Sequence, residues 1–187
     1  MQYYNDMKLI EINKDTYDVI IDLKYASEDN VIGKKIFNEN KCYLLDEAAK
    51  KLLHASNIAK KLGFYLKIFD AYRPTYVQKH LWNFDPNPSF LTNPEKGSPH
   101  TRGVAVDLTL TDFKGNELEM GTKFDDFTTR AYHLSEDINK NNRLNRHVLL
   151  SIMTLAGFDF YLNEWWHYQL YNASNYPLIH NFFDTKS

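Results

Sequence analysis

Two short stretches carry the residue types best able to do chemistry. Ser98-Pro99-His100-Thr101-Arg102-Gly103-Val104-Ala105-Val106-Asp107 sets a histidine ahead of an acid, and Asn163-Glu164-Trp165-Trp166-His167-Tyr168 sets an acid ahead of a second histidine. A neutral imidazole nitrogen and a carboxylate oxygen are both ligands that Zn²⁺ accepts. A hydrolytic zinc site takes three protein ligands, an open position for water and a nearby carboxylate that is not itself a ligand. His100, Asp107 and His167, with Glu164 beside them, meet that description. The alternative for each histidine is a hydrogen-bonded place in the core, and spacing alone leaves both readings open.

These residues need elements to position them. From Val104 onward the chain alternates, with Val104, Val106, Leu108 and Leu110 on one face and Ala105, Asp107 and Thr109 on the other. That is the two-residue period of a strand with one face against a core. A carboxylate in so apolar a strand must be paired, hydrogen-bonded or metal-bound, because a bare buried one is too costly. Gly103 permits a sharp bend between His100 and that strand. Phe158, Phe160 and Leu162 read as a further strand leading into the second stretch. Strict alternation would send Glu164 and His167 to opposite faces, so a bulge or turn is needed if both reach one metal. Trp165 and Trp166 either pack plainly or also keep water away from a metal beside them.

Residues 1–17 are polar and mixed and read as an irregular arm or a short edge strand. Residues 18–25 alternate, with Val19, Ile21, Leu23 and Tyr25 on one side of a strand; the Tyr25 hydroxyl either enters a site or its ring merely packs a sheet. Residues 27–43 read as a loop. Asp46 is placed to cap a helix over 46–62, whose apolar stripe (Leu45, Ala48, Ala49, Leu52, Ala55, Ala59, Leu62) marks it as scaffold, with Gly63 as terminator and His54 on the surface. A strand over 64–70 delivers Asp70-Ala71-Tyr72-Arg73 to its end, and Pro74 suits the first turn of a following helix. Functional groups often sit at such junctions, although a surface ion pair is the commoner fate of an arginine such as Arg73. Four prolines and Gly97 keep residues 82–99 irregular, as a loop that could wall a pocket. Lys114-Gly115-Asn116 marks a turn. A second amphipathic helix over 139–156 turns Leu144, Val148, Ser151, Ile152 and Leu155 inward and stops at Gly157.

At 187 residues the chain suits one domain, 1–187, with a real core. It is 43% hydrophobic and 25% charged, as soluble globular proteins are, and 15% aromatic, which suits strands and a walled pocket. A net charge of -2 and a pI near 6.4 give no footing for nucleic acid or an anionic membrane. No apolar run approaches the roughly 20 residues of a membrane span. The N-terminal residues lack an apolar signal core, and the lone Cys42, read as a buried inert thiol and not a reactive one, suits a reducing cytoplasm. The oligomeric state is not readable.

Ser-x-His-x-Arg-Gly-x-Ala-x-Asp-Leu-Thr-Leu followed downstream by Glu-Trp-Trp-His resembles the VanX-type D-alanyl-D-alanine dipeptidases. These are zinc enzymes of a wider D,D-peptidase group that includes D,D-carboxypeptidases and hedgehog-like domains. Leu23-Lys24-Tyr25-Ala26 with Asp29-Asn30, Asp70-Ala71-Tyr72-Arg73-Pro74 and Met120-Gly121-Thr122-Lys123-Phe124-Asp125 resemble the same family and occur in its order, so the likeness runs from about 22 to 168. It implies an α+β domain with a mostly antiparallel central sheet flanked by helices. It further implies one Zn²⁺ on His100, Asp107 and His167, Glu164 as general base and Arg73 as oxyanion stabiliser. By the same likeness Tyr25 and Asp125 hold the ammonium of a D-Ala-D-Ala dipeptide, and Ser98 contacts its carboxylate. The alternatives are a D,D-carboxypeptidase with the same centre and a catalytically silent zinc-binding module. Asp125 favours the dipeptidase over the first, and retention of Glu164 and Arg73 weighs against the second.

Overall fold

The computed structural model describes residues 8–179 and Phe182. The chain order is β1 (Leu9–Ile12), α1 (Lys14–Tyr17), β2 (Ile20–Ile21), β3 (Cys42–Leu45), α2 (Asp46–Lys61), β4 (Tyr65–Asp70), α3 (Thr75–Phe84), β5 (Ala105–Thr111), α4 (Lys140–Leu155), β6 (Asp159–Phe160) and β7 (His167–Gln169). Five strands make the central sheet in the order β2-β4-β5-β7-β6, antiparallel throughout except for the β2–β4 pair. β1 and β3 form a separate antiparallel ribbon. This is the α+β arrangement with a mostly antiparallel sheet that the sequence leads one to expect. Among the described residues no helix is long and apolar enough to cross a membrane.

β5 is the spine of the sheet. All seven of its residues are buried, not only the face that alternation assigns to the core. Its second face carries Asp107 and lies beneath a walled cavity, which is why both sides are covered. β4 and β5 pair from Tyr65↔Thr111 to Ile68↔Leu108 and then to Asp70↔Asp107, so β4 spends one extra residue, Phe69, in a bulge. Such a bulge changes which side chains face a partner. Here it sets Asp70 directly across from Asp107, and Asp107 is in turn paired with His167 on β7. Three polar residues thus form one row across three strands.

α2 is the expected scaffold helix: Ala48, Ala49, Leu52, Ala55 and Ala59 are buried, and it packs on β1, β3, β4 and α4. Asp46 is its first residue, not its cap; no side chain caps this end, and the Asp46 carboxylate pairs with Lys50 one turn on. Leu62 lies beyond the helix and is exposed, as is His54.

Several local expectations are corrected. The strand expected over 18–25 is reduced to Ile20–Ile21, because Asp18 turns left-handed to close α1 and a 3-10 turn takes Lys24–Ala26. Residues 8–17, expected to be an arm or a short edge strand, hold β1 and then the single-turn helix α1; residues 1–7 lie outside the described residues. The loop expected over 27–43 hides the start of β3, whose four residues Cys-Tyr-Leu-Leu are all buried and so show no alternation. α4 has its expected bounds, capped by the Asn139 side chain, but its inward face is Arg146, Leu149, Ile152 and Met153. Leu144, Ser151 and Leu155 face solvent. A fully buried arginine sets that phase: Arg146 donates to the carbonyls of Met120, Arg130 and Tyr132. The strand expected from Phe158 to Leu162 is only Asp159–Phe160, and Phe160 and Leu162 are exposed. Cys42 is buried, and burial pushes its thiol far above the usual range, so it is inert.

Candidate active site

Four structural devices bring the chemical side chains to one place. The first is a 3-10 turn, His100–Arg102, closed by Gly103 at φ +68°. That backbone angle favours glycine, and a Cβ there would also meet Leu9 Cδ2 at 2.8 Å, so the end of that side chain would have to move. The second is the cross-strand row Asp70–Asp107–His167. The third is the tight turn between β6 and β7, held by backbone bonds from Glu164 N–H to the Tyr161 carbonyl and from His167 N–H to the Glu164 carbonyl. This turn meets the need for an irregularity between Glu164 and His167. It brings Glu164 Oε2 to 3.8 Å from His167 Nδ1. The fourth is the β4–α3 junction, where Arg73 follows the bulged strand end.

His100 Nε2 and His167 Nδ1 face each other at 3.2 Å, Asp107 Oδ2 lies 3.3 Å from His100 Nε2, and Asp107 Oδ1 lies 3.0 Å from His167 Nδ1. The outer nitrogens are committed elsewhere. His100 Nδ1 donates to the Ala71 carbonyl at 2.8 Å, and His167 Nε2 donates to Gln169 Oε1 at 3.0 Å. With the outer nitrogens spent as donors, the inner ones present lone pairs to the same point as the Asp107 carboxylate. Three electron-rich groups converging in a buried place want a cation between them. These are the residues that could hold a metal ion.

The charges agree with that. Burial opposes ionisation of Asp107, but His100 and His167 outweigh it and hold its carboxyl well below the usual range. Burial likewise opposes a charge on His167, yet Asp107 and Glu164 raise its imidazole to about 9. A proton on His167 Nδ1 and a metal ion compete for one lone pair. Glu164 is pushed the other way, up to about 8, by burial first, with Asp107 and Asp125 adding and His167 opposing.

Arg73 is buried over the Tyr25 ring, its guanidinium carbon 4.9 Å from the ring centre. Its Nε and Nη2 both donate to Asp70 Oδ2 at 2.7 Å, Nη2 stands 3.5 Å from Asp107 Oδ2, and Nη1 donates to Gln78 Oε1 at 2.9 Å. Tyr25 and Asp125 meet from positions 100 residues apart: the Tyr25 hydroxyl donates to Asp125 Oδ2 at 2.8 Å. Asp125 is a non-glycine residue at φ +57°, a conformation that costs of order 1–2 kcal/mol and persists only when its surroundings hold it. Burial pushes its carboxyl up to about 8 despite the Tyr25 bond. Its neighbour Asp126 accepts from the Thr128 hydroxyl instead. Ser98 Oγ accepts from the His100 backbone N–H at 3.2 Å.

Tyr25, Arg73, Ser98 and Asp125 line one cavity of about 250 Å³ together with His100, Asp107, Glu164 and His167. The structure therefore brings together every site residue expected from the sequence. Pro88, Phe90, Leu91 and Thr92 of the irregular segment form a wall, as expected of that loop. Trp166 joins the lining, while Trp165 packs edge-on against it and donates to Thr122 Oγ1 at 2.8 Å. Sequence reasoning gave no part to Asp70, Gln78, Tyr161 or Gln169. Gln169 was findable, since a strand's period of two puts it on the same face as His167. Asp70 was hidden by the bulge, and Gln78 is a helix residue with no local signal.

Comparison with known proteins agrees. Residues 5–186 match the Peptidase_M15 family model, described as D-ala-D-ala dipeptidase. The chain is 41% identical over 162 residues to the D-alanyl-D-alanine dipeptidase of Escherichia coli (strain K12), covering 87% of this chain and 84% of that protein. It is 34% identical over 184 residues to the D-alanyl-D-alanine dipeptidase of Enterococcus faecium, covering 87% and 90%, and 32% identical over 170 residues to that of Enterococcus faecalis (strain ATCC 700802 / V583), covering 80% and 84%.

Proposed function

The chain belongs to the D-Ala-D-Ala dipeptidase family of M15 peptidases, and from that premise we propose that it is a single zinc-dependent domain, 1–187, hydrolysing the D-Ala-D-Ala dipeptide in the cytoplasm. The observation that carries this reading is the buried convergence of His100 Nε2, His167 Nδ1 and the Asp107 carboxylate. Zinc with bonds of about 2.0–2.1 Å in a tetrahedron sets its ligand atoms about 3.3–3.4 Å apart. The two nitrogens here stand 3.2 Å apart, and the Asp107 carboxylate brings Oδ1 to 3.0 Å from His167 Nδ1 and its other oxygen, Oδ2, to 3.3 Å from His100 Nε2. Zn²⁺ held by His100 Nε2, Asp107 and His167 Nδ1 would supply a Lewis acid that acidifies a water and polarises the peptide carbonyl.

The chain's own groups do the rest. Glu164 takes a proton from the attacking water as its oxygen bonds to the carbonyl carbon. The carbonyl electron pair moves onto oxygen, where the uncommitted N–H groups of Arg73 donate to it. The pair then returns, the C–N bond breaks, and Glu164 passes its proton to the leaving amine. A carboxyl raised to about 8 by burial, and drawn back by a neighbouring dication, has the affinity needed to take and return a proton near neutral pH. Tyr25 and Asp125 receive the substrate ammonium, which favours the ionised Asp125 that burial alone disfavours. Ser98 can turn its hydroxyl hydrogen to the substrate carboxylate. The cavity of about 250 Å³ lies below the ~300 Å³ where drug-sized pockets begin and suits a dipeptide.

The test joins elemental analysis to D-alanine release. Wild-type protein carries one zinc per chain, and His167→Ala loses it; full zinc in that variant removes His167 from the site. Glu164→Ala keeps its zinc and loses about 10²–10⁴ in kcat, the usual worth of a general base. Normal turnover by Glu164→Ala refutes the assignment.

A further inference from the structure

α3 buries Val77, Gln78 and Leu81. Val77 and Leu81 join the apolar cluster that also holds Tyr25, so an amide between them is out of place on packing grounds. Gln78 is 1% exposed, and a buried amide is costly unless both of its ends are paired. Both are. Its Oε1 accepts from Arg73 Nη1 at 2.9 Å, and its Nε2 donates to the Thr92 carbonyl at 2.7 Å. A guanidinium can only donate and a carbonyl can only accept, so the amide has one orientation and no freedom to turn.

What this does for Arg73 follows from the remaining contacts. Asp70 grips the guanidinium along the edge formed by Nε and Nη2. Among the described residues, Gln78 makes the hydrogen bond to Nη1 at the far end of the fork. A planar group held along one edge still pivots about that edge; a second point fixes the plane. We propose that Gln78 is a positioning residue for the hydrolysis, fixing the plane of the Arg73 guanidinium and tying it to the pocket wall at Thr92. This rests on the reading of Arg73 as the oxyanion donor. An apolar residue would fill the same space on α3 with no desolvation cost, so the amide is kept for what it holds.

The experiment is a double-variant cycle on the zinc-loaded enzyme, with kcat and KM measured for D-Ala-D-Ala and folding checked by thermal melting. Gln78→Met, which keeps volume and removes both bonds, lowers kcat about ten- to a hundredfold, less than the ~10²–10³ for losing an oxyanion donor outright, and moves KM by less than about threefold. In the Arg73→Ala background the same change costs less than about twofold, because its route to the chemistry is already gone. Gln78→Glu keeps an acceptor for Nη1 but turns a second acceptor towards the Thr92 carbonyl, so it recovers kcat only in part, to above the Gln78→Met value. If Gln78→Met does not fold, Gln78→Asn, one methylene too short to reach either partner, takes its place in the cycle. Equal losses in both backgrounds would make Gln78 merely structural and overturn the proposal. No loss from Gln78→Met, with a full loss from Arg73→Ala, would overturn it while leaving the oxyanion role of Arg73 intact. Full activity of Arg73→Ala alone would overturn both.

Discussion

If Asp125 and Tyr25 close the cavity around a free ammonium, blocking that ammonium is the sharpest perturbation of specificity. An acetyl group on D-Ala-D-Ala removes the positive charge and adds heavy atoms at the end of the pocket where Tyr25 and Asp125 are buried against each other. Losing a hydrogen bond to a charged partner costs about 1.5–3 kcal/mol, and forcing extra atoms into a packed site costs about 1–3 kcal/mol. No separate penalty arises for stranding a bare carboxylate, because a group pushed up to about 8 takes up a proton near neutral pH instead. At about 1.36 kcal/mol per tenfold, the sum predicts a loss of roughly 10²–10⁴ in kcat/KM. The assay is D-alanine release from the free dipeptide, its N-acetyl derivative and a peptidoglycan pentapeptide ending in D-Ala-D-Ala. The free dipeptide is cleaved and the other two are nearly inert. Asp125→Asn supplies the internal control: it slows the free dipeptide by about 10- to 150-fold, the kinetic equivalent of the lost charge-assisted bond, and narrows the gap to the acetylated one. Comparable rates on all three substrates with wild-type enzyme would refute the end-stop and replace the dipeptidase reading by a carboxypeptidase.

Two further outcomes concern stability. Arg146, lowered by burial to about 10 and so still charged at pH 7, is the donor to the Met120, Arg130 and Tyr132 carbonyls. Arg146→Met leaves those carbonyls short of a donor and costs about 3 kcal/mol or more in urea unfolding; a loss under about 1 kcal/mol would refute the pinning role. His133 is buried with no hydrogen-bond partner for either ring nitrogen among the described residues, and burial, with Arg146 and His147, lowers it to about 4. Its unfolded form titrates near 6.5, so between those values the unfolded chain binds the extra proton. Its contribution is therefore complete above about pH 6.5 and declines as pH falls towards 4, by up to about 3 kcal/mol. His133→Phe flattens that acid limb in melts taken from pH 7 to 4, and an unchanged limb would exclude His133 as its source.

Much of the site was legible because its signals are local. The alternation from Val104 to Leu110 marks a strand whatever packs on it, and Asp107 within that pattern demands a partner. Gly103 permits a bend, and His100, His167 and Glu164 are of the residue types that metal and proton chemistry uses. The apolar stripe of α2 needs no neighbour to be read. The misreadings fall where a distant contact overrides a local preference. β3 is buried on both faces and so loses its period. The phase of α4 is set by Arg146 reaching carbonyls some way back along the chain, not by its own leucines. Tyr25 reaches Asp125 from a 3-10 turn and not from a strand end.

What only the tertiary structure decided is the register of β4, β5 and β7. The sequence offers His100, Asp107 and His167 as candidate ligands but does not say that a bulge at Phe69 turns Asp70 towards Asp107, or that Asp107 stands opposite His167. Nor does it say that Ala71 and Gln169 occupy the outer nitrogens so that the inner ones converge. Strand pairing joins residues far apart in the chain and is settled by the packing of both sheet faces at once. A sequence read one segment at a time supplies the atoms of this site, and the cross-strand register supplies the few ångströms between them.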